Sequence, residues 1–432
     1  MRMRTSLFTG ILLSSLFLLQ FSPQATAGDY DYPYNDPLLA TVLGTPPDQQ
    51  VPFTPDMPVK VLDLTVFPER KFPGVFWYNQ ELRASLVYQK KKAPLIFVIA
   101  GTGAGFNADT MLALQNIFYR AGFHVVSISS PTQSNFVATG SESMVPGILE
   151  DDARDLYRVM EDIWEKIKGD IEVSDFYLTG YSFGGTQAAF VGMLDEEKKS
   201  FGFRKVLMIN PAVNLYSSTQ ILDRMLDENI PGGPQNTRQE LRKLLDKFAA
   251  RYRAAHFVKL DQNFLYNIYR GLPEPPSKQE LQVLIGFTFR ISSSNMIFTS
   301  DAMTHTGFVV PRNLNLSSDD PLYDYLITLL YIPFARYVDE YLFPAAQARN
   351  PQLTLQMLID ADTLKSIEWY LKRAQKVGVL TNADDIILAP GELDYLRRLF
   401  GSRATIFPNG GHLGNIDHRA VADAMTRYFS QP

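Results

Sequence analysis

The chain has 432 residues, of which 46% are hydrophobic and 20% are charged, so it can form one large core or two ordinary ones. This composition is that of a globular protein and excludes disordered and fibrous chains. The formal net charge of −5 and the lack of a basic block argue against nucleic-acid binding. Because the chain has no cysteine, disulfides, a thiol nucleophile and thiolate metal sites are excluded.

The first residues predict export. Arg2 and Arg4 precede an apolar stretch from Leu7 to Leu19, and Ala-Thr-Ala at 25–27 is the small-x-small pattern that signal peptidase cleaves. A membrane span needs about 20 apolar residues, so residues 1–27 are interpreted as a signal peptide; the alternative is a retained anchor. No stable membrane span is expected after cleavage. Export without disulfides favours a bacterial periplasmic or secreted protein.

Residues 28–58 are interpreted as a proline-rich N-terminal extension, with seven prolines. Proline fixes φ and removes a backbone donor, so we predict extended chain here and neither a helix nor a central strand. The extension either wraps over the surface of the domain or is flexible.

From Val59 onwards, strand and helix patterns alternate. The predicted strands are apolar runs of the kind that is buried on both faces: Val59–Phe67, Ala84–Tyr88, Pro94–Ala100, Phe123–Ser129, Asp175–Thr179, Lys205–Ile209, Val377–Thr381 and Ala404–Phe407. The predicted helices have apolar positions at helical spacing: Asp109–Ala121, Glu150–Ile167, Phe183–Leu194, Gly391–Phe400 and Asp417–Phe429.

A mostly helical stretch interrupts this alternation at residues 212–375. Its candidate helices are Thr237–Leu260, Asp320–Leu342 (kinked or divided by Pro333) and Pro351–Ala374. The fold class is therefore α/β, a mainly parallel doubly wound sheet with helices on both faces. Its core comprises residues 59–211 and 376–432, and residues 212–375 form a helical cap insertion. Ligands are expected at the carboxyl ends of the strands.

A candidate nucleophile follows one of these strands. Ser182 lies in Gly-Tyr-Ser-Phe-Gly at 180–184, between the strand Asp175–Thr179 and a helix. A nucleophilic serine on a strained strand-to-helix turn needs small neighbours, which Gly180 and Gly184 provide. The alternative is a glycine-rich turn of purely structural meaning.

A serine nucleophile needs a base, and histidine titrates near neutral pH. Four of the five histidines are poorly placed, at a strand start, in the insertion or at the start of the last helix: His124, His256, His305 and His418. His412 follows the last strand and is the candidate base, unless it is merely a loop residue. The acid should follow a strand between serine and histidine, where Asp385 is preferred and Asp384 is the alternative.

Acyl transfer also needs donors for an oxyanion. The backbone N–H groups of Phe183 and Thr102 are the candidates, with Gly103 as the next choice in the glycine-rich loop after Pro94–Ala100. That loop lacks the acidic residue of a dinucleotide site and the lysine of a P-loop. The histidines are scattered, so neither a cofactor nor a metal is predicted.

The order strand–glycine loop, strand–GYSFGG–helix, insertion, strand–NADD and strand–GGH resembles the α/β-hydrolase superfamily. The resemblance covers residues 59–211 and 376–432 and places the insertion where the family has a lid. It departs from the family pattern in Ala-Gly-Thr-Gly at 100–103, where many members have His-Gly, and in an acid loop without Asp-Pro. The insertion matches no specific subfamily.

The resemblance implies that Ser182 attacks a carbonyl, that His412 accepts and returns the proton, and that water hydrolyses the acyl-enzyme. The expected substrate is a small-molecule or lipid-like carboxylic ester. Aromatic and aliphatic residues of the insertion more often form the core of the lid itself than a substrate wall; if some of them line the pocket, they favour an apolar or lipid-like acyl group. The alternatives are a serine peptidase or an acyltransferase with the same triad, and a non-catalytic envelope-binding protein.

Overall fold

The computed structural model describes residues 30–233, 236, 239–240, 242–243 and 276–431. The predicted signal peptide and almost all of the predicted helix Thr237–Leu260 lie outside this part of the chain. Within it, no helix is long and apolar enough to cross a membrane.

One eight-stranded sheet organises the described chain. Its strands are β1 (Val59–Leu64), β2 (Leu82–Val87), β3 (Ala93–Ile99), β4 (His124–Ile128), β5 (Val173–Tyr181), β6 (Val206–Ile209), β7 (Val377–Asn382) and β8 (Ala404–Phe407). Their order is β1-β2-β4-β3-β5-β6-β7-β8. Only β2 runs against the others, because it pairs antiparallel with both β1 and β4 while the remaining pairs are parallel. The predicted mainly parallel sheet is confirmed.

Helices cover both faces of this sheet. One face carries α4 (Leu149–Ile167) and α5 (Phe183–Lys198), and the other carries α2 (Asp109–Arg120) and the last helix, Arg419–Ser430. The central strand β3 serves both cores, since Phe97 and Ile99 pack on the first face while Ile96 and Val98 pack on the second. This alternation with period 2 is why the strand reads as a continuous apolar run.

The N-terminal extension departs from the prediction of extended chain, because it contains helix α1 (Pro37–Leu43). The Asp36 side chain caps this helix by accepting hydrogen bonds from the Leu38 and Leu39 backbone N–H groups. Proline is compatible with the first helical position, where its missing donor is not needed. Pro37 therefore begins a helix, and the other prolines lie outside α1.

Every described helix between residues 214 and 374 belongs to the predicted insertion. They are α6 (Leu215–Asp227), α7 (Lys278–Thr304), α8 (Tyr323–Leu330), α9 (Phe334–Tyr337), a π-helical turn (Val338–Leu342), α10 (Phe343–Arg349), α11 (Leu355–Ala361) and α12 (Glu368–Arg373). Ser277 and Glu280 form a capping box at the start of α7. Buried residues lie all around α7, since it packs against α6, α8, α1 and α3 (Ser134–Thr139).

Two predicted helices of the insertion are divided. The pattern Asp320–Leu342 is divided into α8 and α9, and the break lies just before Pro333. Proline has no backbone N–H, so it cannot continue the hydrogen bonds of the preceding helix. The pattern Pro351–Ala374 becomes α11 and α12, because the intervening backbone binds the chain that follows β6. Leu215 N–H donates to the Asp362 carbonyl at 3.2 Å, and Leu364 N–H donates to the Val213 carbonyl at 2.8 Å.

Candidate active site

Ser182 lies on the sharp turn between β5 and α5. Its backbone has φ +54° and ψ −126°, a conformation that is strained for a residue with a side chain. Its N–H donates to the Ile209 carbonyl at the end of β6, 2.9 Å away. A Cβ at Gly180 would lie 2.2 Å from the Gly184 carbonyl oxygen, and one at Gly184 would lie 2.3 Å from that of Ile99. The tight turn therefore needs glycine at both positions and projects Ser182 from the edge of the sheet.

His412 contacts Ser182 and Asp385 at the same time. Its Nε2 lies 2.9 Å from Ser182 Oγ, and its Nδ1 lies 3.0 Å from Asp385 Oδ1. With Nδ1–H donating to the carboxylate, Nε2 is the acceptor for the serine hydroxyl. The structure thus brings together the three residues predicted as nucleophile, base and acid, which lie 230 and 27 positions apart in the chain.

Asp385 and Asp384 have different partners. The Asp385 side chain is fully buried, and besides His412 it accepts hydrogen bonds from Asn210 Nδ2 at 2.8 Å and from Ile387 N–H at 3.2 Å. Asp384 instead accepts the N–H groups of Gly410 and Gly411, at 3.2 and 2.9 Å. Burial raises the pKa of Asp384. Geometry therefore favours Asp385 as the acid and makes Asp384 a support for the histidine loop.

Asn210 is a site residue that the sequence analysis missed. It follows β6 with φ +45°, and its side-chain amide donates to Asp385 Oδ2 at 2.8 Å. A carboxylate held by such a hydrogen bond keeps its orientation toward the imidazole and so fixes the imidazole tautomer. The sequence contained one signal for it, because Asn210 directly follows a parallel strand. The carboxyl ends of neighbouring parallel strands meet at the same edge of the sheet, where the site lies.

The N-terminal extension also contacts the histidine loop. Thr41 Oγ1, on α1, accepts the His412 N–H at 2.9 Å and donates to the Pro37 carbonyl at 2.7 Å. Tyr30 Oη donates to the Asn409 carbonyl at 2.6 Å, and Thr45 Oγ1 donates to the Gly414 carbonyl at 3.2 Å. Residues far from the sheet in sequence therefore brace the loop that carries the candidate base.

The predicted oxyanion donors lie beside Ser182. Phe183 is the first residue of α5, where peptide N–H groups have no partner within the helix and the helix dipole favours negative charge. Thr102 lies with Ser182 in the walls of two cavities. The Gly103 N–H donates to Thr132 Oγ1 at 2.8 Å, so it is engaged elsewhere and Thr102 is the better candidate. Oxyanion binding by Thr102 and Phe183 stays a prediction.

Two cavities meet at Ser182. The first, the histidine-side cavity, has a volume of about 200 Å³, and its wall includes Thr41, Gln50 and His412. The second, the apolar cavity, has a volume of about 70 Å³ and lies under the cap helices. Its described lining is mostly aliphatic and aromatic: Leu215, Leu222, Phe289, Phe334, Val338, Leu342, Leu358, Ile359 and Ile387. Ser182 thus lies in the walls of two cavities of different chemical character.

No protein-family model matches this chain, and no curated protein matches it significantly. Among solved structures it is similar to Est1E from Butyrivibrio proteoclasticus, with 10% identity over 81% of this chain and 96% of that chain and a TM-score of 0.37. It is also similar to a bacterial membrane phospholipase A described as a virulence factor, with 14% identity, coverage of 86% of both chains and a TM-score of 0.41. An esterase from Pyrococcus furiosus has 9% identity, coverage of 88% and 96%, and a TM-score of 0.39.

The fold follows from the chain's own topology. In the sheet order β1-β2-β4-β3-β5-β6-β7-β8 only β2 is reversed, and the serine turn follows β5. Asp385 follows β7 and His412 follows β8, so the three residues occur in the order serine, acid, histidine. This protein has the α/β-hydrolase fold.

Proposed function

We propose that this chain is a serine hydrolase that cleaves carboxylic esters through an acyl-enzyme. The observation that carries the proposal is the continuous hydrogen-bonded chain from Ser182 Oγ through His412 to Asp385, next to two cavities. His412 accepts the serine proton as Ser182 attacks the carbonyl, and it returns that proton to the leaving alcohol. Water then repeats the sequence and releases the acid.

Asp385 holds the imidazole in the required tautomer and stabilises the imidazolium that forms after proton transfer. The N–H groups of Phe183 and Thr102 stabilise the oxyanion of the tetrahedral intermediate. The apolar cavity supports an aliphatic substituent on one side of the ester bond.

Labelling with a fluorophosphonate probe tests the nucleophile. We expect wild-type protein to be labelled and Ser182→Ala to remain unlabelled, with both proteins equally stable to heat. Unchanged labelling of Ser182→Ala would refute Ser182 as the nucleophile. No labelling of either protein would favour a binding protein without catalysis.

A substrate panel tests the reaction class. We expect turnover of p-nitrophenyl acyl esters and little turnover of aminoacyl anilides of comparable size. Turnover of the amides alone would point to a peptidase. Transfer of the acyl group to an added alcohol in preference to water would point to an acyltransferase.

We further propose that the protein is exported to the periplasm or the medium after removal of residues 1–27. The basic start, apolar stretch and Ala-Thr-Ala sequence support this proposal. Mass spectrometry of protein recovered from each cell fraction tests it. A mature N-terminus at Gly28 is expected, and an uncleaved chain in the membrane fraction would indicate the anchor.

A further inference from the structure

The apolar cavity contains one charged side chain. Of its described lining residues, only Asp362 carries a carboxyl group, and none is lysine, arginine or histidine. Asp362 and Ser182 lie in the wall of the same cavity. A few polar groups in an otherwise apolar pocket commonly decide which ligands bind.

The position of Asp362 is fixed from several directions. It ends α11, where its N–H donates to the Leu358 carbonyl at 3.1 Å and its own carbonyl accepts Leu215 N–H at 3.2 Å. Its side-chain Oδ1 accepts the Leu149 N–H at 2.8 Å. The carboxyl group is therefore held rigidly at the junction of α11, α4 and the chain that follows β6.

The second oxygen, Oδ2, is free to bind a ligand. Asp362 as a whole is only 6% exposed, and no described residue donates a hydrogen bond to Oδ2. Oδ2 is not one of the fully buried polar atoms that lack a hydrogen-bond partner, so part of its surface is accessible. Asp362 lines the apolar cavity, where a ligand could meet this oxygen.

No described lysine, arginine or histidine forms an ion pair with the Asp362 carboxyl group. Burial is the main cause that raises its pKa to about 7, and Asp151 and Glu150 in the first turn of α4 raise it further. Asp152, also on α4, is buried and accepts the Gly147 N–H at 3.0 Å. The nearby Arg154 and Arg349 pair with Glu150 and Asp151 and not with Asp362. A buried carboxylate without a counter-charge is costly, and a cationic ligand would relieve that cost.

We propose that Asp362 determines specificity by accepting a hydrogen bond from a protonated amine on the substrate group that fills the apolar cavity. The substrate class is then an ester in which an aliphatic chain carries an amino group. This inference rests on the proposed serine hydrolase function, because it assigns the cavity beside Ser182 to one substituent of the ester.

Two pairs of p-nitrophenyl esters of matched size test the inference: 6-aminohexanoate against heptanoate, and 4-aminobutyrate against pentanoate. Since a hydrogen bond to a charged group contributes appreciably, we expect at least one amino ester to exceed its neutral partner in kcat/KM by about tenfold or more. Asp362→Asn keeps the acceptor for Leu149 N–H and the side-chain size but loses the charge. It should lower kcat/KM for the amino esters to about that of their neutral partners, so that the preference is lost.

Glu150→Gln is the matched control, because it removes a negative charge next to Asp362 from an exposed side chain that does not line the cavity. It should retain the preference for amino esters. Equal kcat/KM for amino and neutral esters in the wild type, or a preference that survives in Asp362→Asn, would overturn the inference.

Calorimetric binding of hexylammonium to Ser182→Ala separates this inference from the proposed catalysis. Binding that is lost in the double variant Ser182→Ala, Asp362→Asn supports the role of Asp362 even if no ester is hydrolysed. Absent or unchanged binding overturns it, even if the neutral esters are hydrolysed.

Discussion

The two regions that meet at Ser182 are built differently. On the sheet side, loops that follow β5, β6, β7 and β8 hold the candidate triad through a chain of hydrogen bonds of 2.8–3.2 Å. On the cap side, α6, α9 and α11 contribute apolar side chains and the single carboxyl of Asp362. The sheet side can thus supply the chemistry, while the described part of the cap supplies shape and one carboxyl group.

This difference predicts two kinds of variant. Changes on the sheet side should lower kcat for every substrate, because they disturb groups that move protons or bind the oxyanion. Changes on the cap side should alter the ranking of substrates and leave the chemical step nearly intact.

Asp385→Asn should have the largest effect. It replaces the acceptor for His412 Nδ1–H, so the imidazole adopts the wrong tautomer, and kcat should fall by roughly 10³–10⁴-fold. Steady-state kinetics with one neutral ester measures this. Asp384→Asn is the matched control, since its carboxylate contacts Gly410 and Gly411 but not the imidazole in the described contacts. A larger loss of kcat in Asp384→Asn than in Asp385→Asn would reverse the assignment.

Thr41→Val should have an intermediate effect on kcat. The change removes the acceptor for the backbone N–H of His412 and preserves the shape of the side chain, so His412 is positioned less accurately. A loss of about tenfold in kcat is expected, at nearly constant KM, as for removal of a supporting contact. Thr54→Val in the same extension is the control, because Thr54 lies away from the histidine loop and its Oγ1 contacts Arg120.

A loss of activity in Thr54→Val equal to that in Thr41→Val would show that the whole extension matters only for stability. If instead only Thr41→Val loses activity, the extension acts together with the sheet-side loops. Residues outside the segments that form the sheet would then contribute to the sheet side of the site.

The sheet and the triad residues were predictable because their signals are local. β3 and β6 are apolar runs closed by glycine or Asn-Pro, and the glycines at 180 and 184 mark the serine turn. With only five histidines, elimination left His412. Predicted strand ends differ from the observed ones by a few residues, since tertiary pairing decides where a strand stops.

The remaining features depend on contacts between distant residues. Helix α1 was missed because seven prolines in residues 28–58 outweighed the local signal of Asp36 followed by Pro37. The break between α11 and α12 depends on backbone bonds to residues 213 and 215, about 150 positions away. Asp362 could not be recognised as a cavity residue, because the cavity forms only when α6, α9 and α11 pack together.

Ile359→Ala tests whether the cap side determines the preferred length of the substrate chain. Ile359 lines the apolar cavity, so its truncation enlarges the space for a substrate chain. We expect the preferred acyl chain of p-nitrophenyl esters to lengthen by one or two carbons, while the best kcat changes by less than about threefold. Met357→Ala is the control, because Met357 is 51% exposed on the same helix. An equal fall in kcat for all chain lengths would show that Ile359 affects the chemistry.

Asp362→Asn should have the smallest effect on the unliganded protein, a change in thermal stability that depends on pH. The pKa of Asp362 is raised to about 7 in the folded protein, so the neutral carboxyl is favoured there, whereas the unfolded chain ionises near pH 4. Stability from this group is therefore present at low pH and is lost as pH rises through about 7. Asparagine does not ionise, so the variant does not lose stability at this position as pH rises.

The Tm difference between Asp362→Asn and the wild type should thus increase in favour of the variant from pH 5 to pH 8, by a few degrees, in scanning calorimetry. Asp152, Asp151 and Glu150 on α4 face the same region and are present in both proteins, so their direct contribution largely cancels in the difference. Glu150→Gln removes a charge that is exposed, and it should show a much smaller pH-dependent change. A Tm difference that is the same at both pH values would contradict a raised pKa of Asp362 in the folded protein. The cap side would then lack the costly buried carboxyl group that distinguishes it from the sheet side.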